Sequence, residues 1–180
     1  MVKALRGAEA VPMRAAYFDT ADERLAAAGL ALRVRQEGER WVQTLKGRGD
    51  GLMARPEHEL ALAPRRTRPR VDPALHAGTE VGEALLALLA DGAPLVERYR
   101  TDILRQRKTV RGDGARVEIA FDEGHVASGR RRHALCELEF ELVDGDPAGL
   151  FALAERWAAR HGLWLDPRTK SERGKIGRAH

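Results

Sequence analysis

The chain has 180 residues, 43% of them apolar and 32% charged, with a formal charge of +4 and a pI near 9.6. That length supports one domain over residues 1–180 with a real core, and the composition excludes a disordered chain. There is no apolar run of about eighteen residues and no charged-then-apolar leader, so the expectation is a cytoplasmic protein without a membrane span. In chain order, residues 1–16 carry no clear period, and Tyr17-Phe18-Asp19-Thr20 reads as a short strand. ADERLAAAG follows as one helical turn closed by Gly29. LALRVRQEG (30–38) and RWVQTLKG (40–47) form a hairpin, and a third strand ends the Gly-rich segment 48–62, where Pro56 points to an edge or a bulge. Residues 63–78, with Pro64, Pro69 and Pro73, read as a loop.

The segment 79–92 has helical spacing, with Val81, Leu85, Leu88 and Leu89 on one side and Gly92 as its stop. A long strand (95–110), a Gly-Asp-Gly turn and a partner strand (115–126) follow. SGRRRH (128–133) turns the chain into ALCELEFELV (134–143), and 146–162 is an amphipathic helix with Leu150, Leu153, Ala154, Trp157 and Ala158 inward. The tail after 162 adds at most one short strand. Cys136 alternates with the glutamates in step with Leu138 and Phe140, which places it in the core. As the chain's lone cysteine it makes no internal disulfide, which fits a reducing compartment.

Side-chain parity makes the strands informative. Arg33 and Arg35 share a face, as do Val42, Thr44 and Lys46, then Arg55, Glu57 and Glu59, then Arg105 and Arg107. Glu118 and Asp122 flank Ala120, and Glu137, Glu139 and Glu141 alternate with Leu138, Phe140 and Leu142. A solvated sheet face accounts for any one strand. Taken together the signs are segregated by strand, where an ordinary solvent face would mix them to avoid repulsion. Closed with its charges inward, such a sheet has acidic walls suited to Mg²⁺ or Mn²⁺ and basic walls suited to phosphate. Phosphate-loop, dinucleotide, zinc-protease and serine-hydrolase motifs are all absent, and the six histidines show no ligand spacing.

YFDT, LALRVR, QTLKG, RPEHEL, VEIAFDEG, CELEFEL and TKSERG, in this order over residues 17–177, resemble the CYTH domain family, the triphosphate tunnel metalloenzymes. The resemblance implies an α+β fold, an antiparallel β-barrel or tunnel of about seven to eight strands with a few flanking helices. It implies a metal-dependent hydrolase of triphosphates, with inorganic triphosphate or a nucleoside triphosphate as the small-molecule substrate and Mg²⁺ or Mn²⁺ as cofactor. Arg33, Arg35 and Lys46 resemble the family's phosphate ligands, and Arg105, Arg107 and Lys170 further ones. Glu57, Glu59, Glu118, Asp122, Glu137 and Glu139 resemble the metal-holding set. Lys46, Glu137 and Glu139 take the catalytic positions, and Glu141 lies toward a tunnel mouth.

One departure is plain: the family's first strand, Glu-x-Glu-x-Lys, has no counterpart here, and only sixteen residues precede Tyr17. A truncated start or a degenerate member is therefore expected, with exposed sheet edges that invite a second copy as partner. That departure keeps two other readings open, a non-catalytic polyphosphate or nucleotide binder and a class IV adenylate cyclase. Nucleic-acid binding through PRRTRPR (64–70) and GRRRH (129–133) ranks below these, because neither loop interleaves aromatics for base stacking.

Overall fold

The computed structural model describes residues 7–49 and 56–166. Lys170, Arg55 and the TKSERG segment lie outside these residues. The strands are β1 (Glu9–Asp19), β2 (Ala31–Glu37), β3 (Arg40–Lys46), β4 (Glu57–Leu62), β5 (Val96–Gly112), β6 (Ala115–Ser128) and β7 (Arg131–Gly145). They form one antiparallel sheet in the hydrogen-bonded order β4-β3-β2-β1-β5-β6-β7, with helices α1 (Arg24–Ala27), α2 (Glu80–Leu88) and α3 (Pro147–His161). The architecture is the expected α+β fold. Val81, Leu85, Leu150 and Trp157 face inward on their helices, as the helical periods predict.

Chain contacts divide the molecule into two compact units, one built on Pro12–Asp102 with His125–His133, the other on Ile103–Gly124 with Ala134–Pro167. In the first, the register runs Phe18↔Leu32↔Leu45↔His58 and Tyr17↔Arg33↔Thr44↔Glu59 through β1 to β4. Alternate residues therefore segregate onto two faces. Leu25, Leu30, Leu32, Leu45, Val81 and Leu85 form the core on one face, with Val71, Leu88, Leu89 and Leu95 packed around it. The other face carries the charges.

Local chemistry fixes the joints of this unit. Asp19, itself buried, accepts N–H bonds from Thr20, Leu25 and Ala26, so the Asp of YFDT ties the end of β1 to α1. Thr79 caps α2 by accepting from the Gly82 N–H. Pro56 stands just before β4, an end strand of the sheet order, in agreement with the edge expected from it.

In the second unit, β5 and β6 join through Asp113 and Gly114, with φ of 53° and 75°. That is the Asp-Gly chemistry of a two-residue hairpin turn. Ala115, Val117 and Leu150 form a small core, ringed by Val110, Phe140, Leu142 and Leu153. Asp146 caps α3 by accepting from the Ala148 N–H, and Gly162 ends it at φ 63°.

Two expectations need correction. β1 is eleven residues long and begins at Glu9, well before Tyr17, because Met13 to Phe18 pair residue by residue with β2. Cys136 is exposed, not core. It has the parity of Phe140 and Leu142, but the apolar cluster under α3 reaches only those two residues.

Candidate functional site

The charged face of β2 to β4 brings together five of the residues singled out by parity. Lys46 Nζ lies 2.8 Å from Glu57 Oε2, its register partner on β4. Arg35 Nη2 lies 2.6 Å from Glu37 Oε1 and 3.2 Å from Glu59 Oε2. Thr44 Oγ1 donates to the same Glu59 oxygen at 3.2 Å.

Arg33 differs from its neighbours. Its Nη1 donates to the Tyr17 hydroxyl at 3.4 Å, and its buried Nε has no hydrogen-bond partner. Among the described residues no carboxylate pairs with it. Burial pulls the Arg33 pKa down, but the Tyr17 phenol and the fields of Glu57 and Glu59 outweigh burial, so the net direction is up. Arg33 is a cation whose local field lacks the carboxylate contact that its neighbours have. Tyr17, which parity did not mark, and Thr44, marked only as sharing a face with Lys46, are its register partners on β1 and β3.

The second unit holds a separate cluster. Oxygens of Asp122 on β6 and of Glu137 and Glu139 on β7 all lie within 4.8 Å of one another. Asp122 is fully buried. Arg105 on β5 grips it with two bonds, Nε to Oδ1 at 2.7 Å and Nη2 to Oδ2 at 2.6 Å, and the same Nη2 reaches Glu139 Oε2 at 2.6 Å. Burial works against the Arg105 charge, but the bonds to Asp122 and the charge of Glu139 outweigh it, so its pKa is raised. Three convergent carboxylates offer the hard oxygen donors that Mg²⁺ and Mn²⁺ take, so the residues fit such an ion.

Glu118, Arg107 and Glu141 stand on β6, β5 and β7 outside this carboxylate group, with Arg107 and Glu141 exposed. Among the described residues Arg107 makes no ion pair.

A buried Asp122 held by Arg105 beside Glu137 and Glu139 in one unit, and basic residues beside Glu57 and Glu59 in the other, mark an antiparallel β protein with one acidic and one basic charged cluster. The CYTH domain family model matches residues 3–174, and the chain belongs to that family. An inorganic triphosphatase of Haemophilus influenzae is 30% identical over 163 residues, 89% of this chain and 44% of that protein. The chain thus spans less than half the length of this curated relative.

Among solved structures, a putative adenylate cyclase of Bacillus halodurans superposes with a TM-score of 0.62 at 18% identity, over 96% of this chain and 84% of that one. A putative adenylyl cyclase of Hippeastrum, described as having a dominant triphosphatase activity, gives 0.62 at 18% identity over 98% and 88%. Among the described residues no helix is long and apolar enough to cross a membrane.

Proposed function

We infer that this chain is a metal-dependent hydrolase of triphosphates, with inorganic triphosphate as its first substrate. The observation that carries the reading is the convergence of Asp122, Glu137 and Glu139. The 30% identity to an inorganic triphosphatase supports the choice of substrate. So does the low aromatic content of 5%, which offers little for stacking a base.

Arg33, Arg35 and Lys46 are assigned to the phosphoryl oxygens, whose charge they neutralise as it shifts toward the leaving group. Arg107 and Lys170 are assigned as further phosphate contacts. Asp122, Glu137 and Glu139 would hold Mg²⁺ or Mn²⁺, which supplies charge neutralisation on the phosphoryl oxygens when bound. Glu118 supports that set from β6. Glu137 and Glu139 also orient the attacking water and take up its proton. Water oxygen bonds to the terminal phosphorus, the bridging P–O bond breaks, and diphosphate and phosphate leave. Glu57 and Glu59, the remaining expected metal ligands, are assigned here to holding Lys46 and Arg35. The reaction suits a cytoplasmic protein.

The test is phosphate release from triphosphate, ATP and thiamine triphosphate with Mg²⁺ or Mn²⁺, each repeated with chelator. Turnover that chelation abolishes is expected, fastest on inorganic triphosphate. No turnover of any of the three sinks the hydrolase reading.

A second reading, a binder of polyphosphate or nucleotide without turnover, is favoured by one observation. Arg105 ion-pairs with both Asp122 and Glu139 and offsets part of their charge. Calorimetric binding of triphosphate without phosphate release selects it, and cyclic AMP formed from ATP selects cyclase chemistry instead.

A further inference from the structure

Tyr17, Arg33, Thr44 and Glu59 are consecutive register partners across β1, β2, β3 and β4. In an antiparallel sheet such a row lies on one face, with neighbouring strands about 4.8 Å apart. Arg33 and Glu59 are therefore two strands apart, roughly 10 Å along the row, with only the short Thr44 side chain between them. A long guanidinium and a long carboxylate can bridge that gap, and their opposite charges favour it. Yet no ion pair forms between them.

The contacts explain why. On one side the Tyr17 hydroxyl accepts from Arg33 Nη1, and Tyr17 is itself fixed by stacking on Tyr99 with ring centroids 4.3 Å apart. On the other side Glu59 Oε2 is held by Arg35 Nη2 and Thr44 Oγ1, each at 3.2 Å. Thr44 is fully buried and Tyr17 nearly so, at 0% and 6% exposure, so neither hydroxyl can be replaced freely by solvent. Glu59 thus reaches toward β2 but is spent on Arg35 and Thr44, and the buried Nε of Arg33 is left with no acceptor.

We propose that Tyr17 and Thr44 are positioning residues that keep Arg33 from being neutralised by Glu59, so that its guanidinium stays available to a phosphoryl oxygen of the substrate. This rests on the assignment of Arg33 to phosphate. Tyr17 draws the cation toward β1, and Thr44 together with Arg35 fixes the carboxylate on Arg35 instead of Arg33. Loss of the Thr44 hydroxyl removes one of the two bonds that aim Glu59 at Arg35. Glu59 can then turn to Arg33, and the protein competes with its own ligand. The cost of that competition falls on binding and leaves the bond-breaking step untouched.

The decisive experiment titrates inorganic triphosphate into chelator-treated protein by calorimetry, so that binding is read without hydrolysis. T44V, nearly isosteric, is expected to weaken binding about tenfold, the effect of one rearranged hydrogen bond near a charge. T44S restores it, because the hydroxyl returns. T44V/E59Q also restores it, since a neutral amide cannot capture Arg33. With metal present, T44V raises KM and leaves kcat within about twofold. Y17F weakens binding in the same direction and tests the other end of the row should T44V fold poorly. T44V binding like wild type, or T44V/E59Q binding as weakly as T44V, overturns the positioning role alone. A wild-type protein that takes up no triphosphate overturns the phosphate assignment of Arg33 itself.

Discussion

Acid should loosen this protein through one buried imidazole. His76, at the end of the 3-10 turn Pro73–His76, is fully buried. The Gln43 amide beside it has a fixed orientation. Its Oε1 accepts from the Asp72 N–H at 2.9 Å, and its Nε2 donates to the Asp72 carbonyl oxygen at 2.7 Å. The second Gln43 N–H then donates to His76 Nε2 at 3.0 Å, so the His76 proton sits on Nδ1 and is donated to His58 Nδ1, also at 3.0 Å. A second proton on His76 has no place without breaking one of these bonds. Burial first, and the neighbouring His58 second, push the His76 pKa from its ordinary 6.5 down to about 4, with Asp72 opposing them.

The unfolded chain thus takes up this proton at higher pH than the folded one. Stability is complete above 6.5 and is lost as pH falls toward about 4. Between about pH 7 and pH 5 the loss comes to about 2 kcal/mol. Urea unfolding of wild type and H76Q at both values measures it, and the pH-dependent part is expected to disappear in H76Q. An NMR titration of the His76 ring gives a second readout, with a midpoint near 4 expected. An H76Q slope equal to wild type, or a ring midpoint at the ordinary 6.5, refutes the reasoning.

Three further outcomes are expected. R33M removes the cation that has no carboxylate pair, so triphosphate affinity falls about a hundredfold in calorimetry while the thermal midpoint holds or rises. D122N takes a fully buried partner from Arg105, and chemical denaturation should show a loss of about 3 kcal/mol together with weaker Mn²⁺ binding. G82A improves intrinsic helix propensity by about 1 kcal/mol. It nevertheless puts a Cβ 1.7 Å from the His76 carbonyl oxygen, so α2 must shift and the thermal midpoint falls.

Much of the first unit is legible in strand parity. Arg33, Arg35, Thr44, Lys46, Glu57 and Glu59 share a face because β2 to β4 are regular and pair without a bulge. The Asp-Gly turn and the capped helices follow from local chemistry, and the structure places them where spacing does. What parity cannot give is register. Tyr17 and Thr44 look like any aromatic and any hydroxyl until β1 and β3 are set beside Arg33.

The start of β1 is hidden for the same reason. Residues 9–12 show no alternation of their own, and Gly38 N–H bonding to the Pro12 carbonyl reflects a neighbour's pattern. Cys136 is exposed despite its parity, because parity names a face but not how far α3 covers it. His58 and His76 meet only because the loop 63–78 folds back, which no ligand spacing could reveal.

The carboxylates of β4, β6 and β7 are paired in unequal exposure, and that inequality orders the ion pairs by how readily they are displaced. Glu57, Glu59 and Glu139 keep 35%, 42% and 46% of their side-chain surface exposed, whereas Asp122 keeps none. A half-exposed pair contributes about 1 kcal/mol or less, because water replaces either partner readily. On the proposed assignment phosphate takes Lys46 from Glu57 at small cost, while Arg35, 13% exposed and also held by Glu37 at 2.6 Å, is released less freely. The bidentate grip of Arg105 on Asp122 is of another kind, since breaking it leaves an uncompensated charge in the interior. Arg105 thus keeps Asp122 throughout, and only its outer contact with Glu139 is open to exchange. The residue expected as a phosphate ligand is first of all the anchor that orients the buried carboxylate, which on the proposed assignment leaves Lys46, Arg35 and Arg33 as the cations for a substrate.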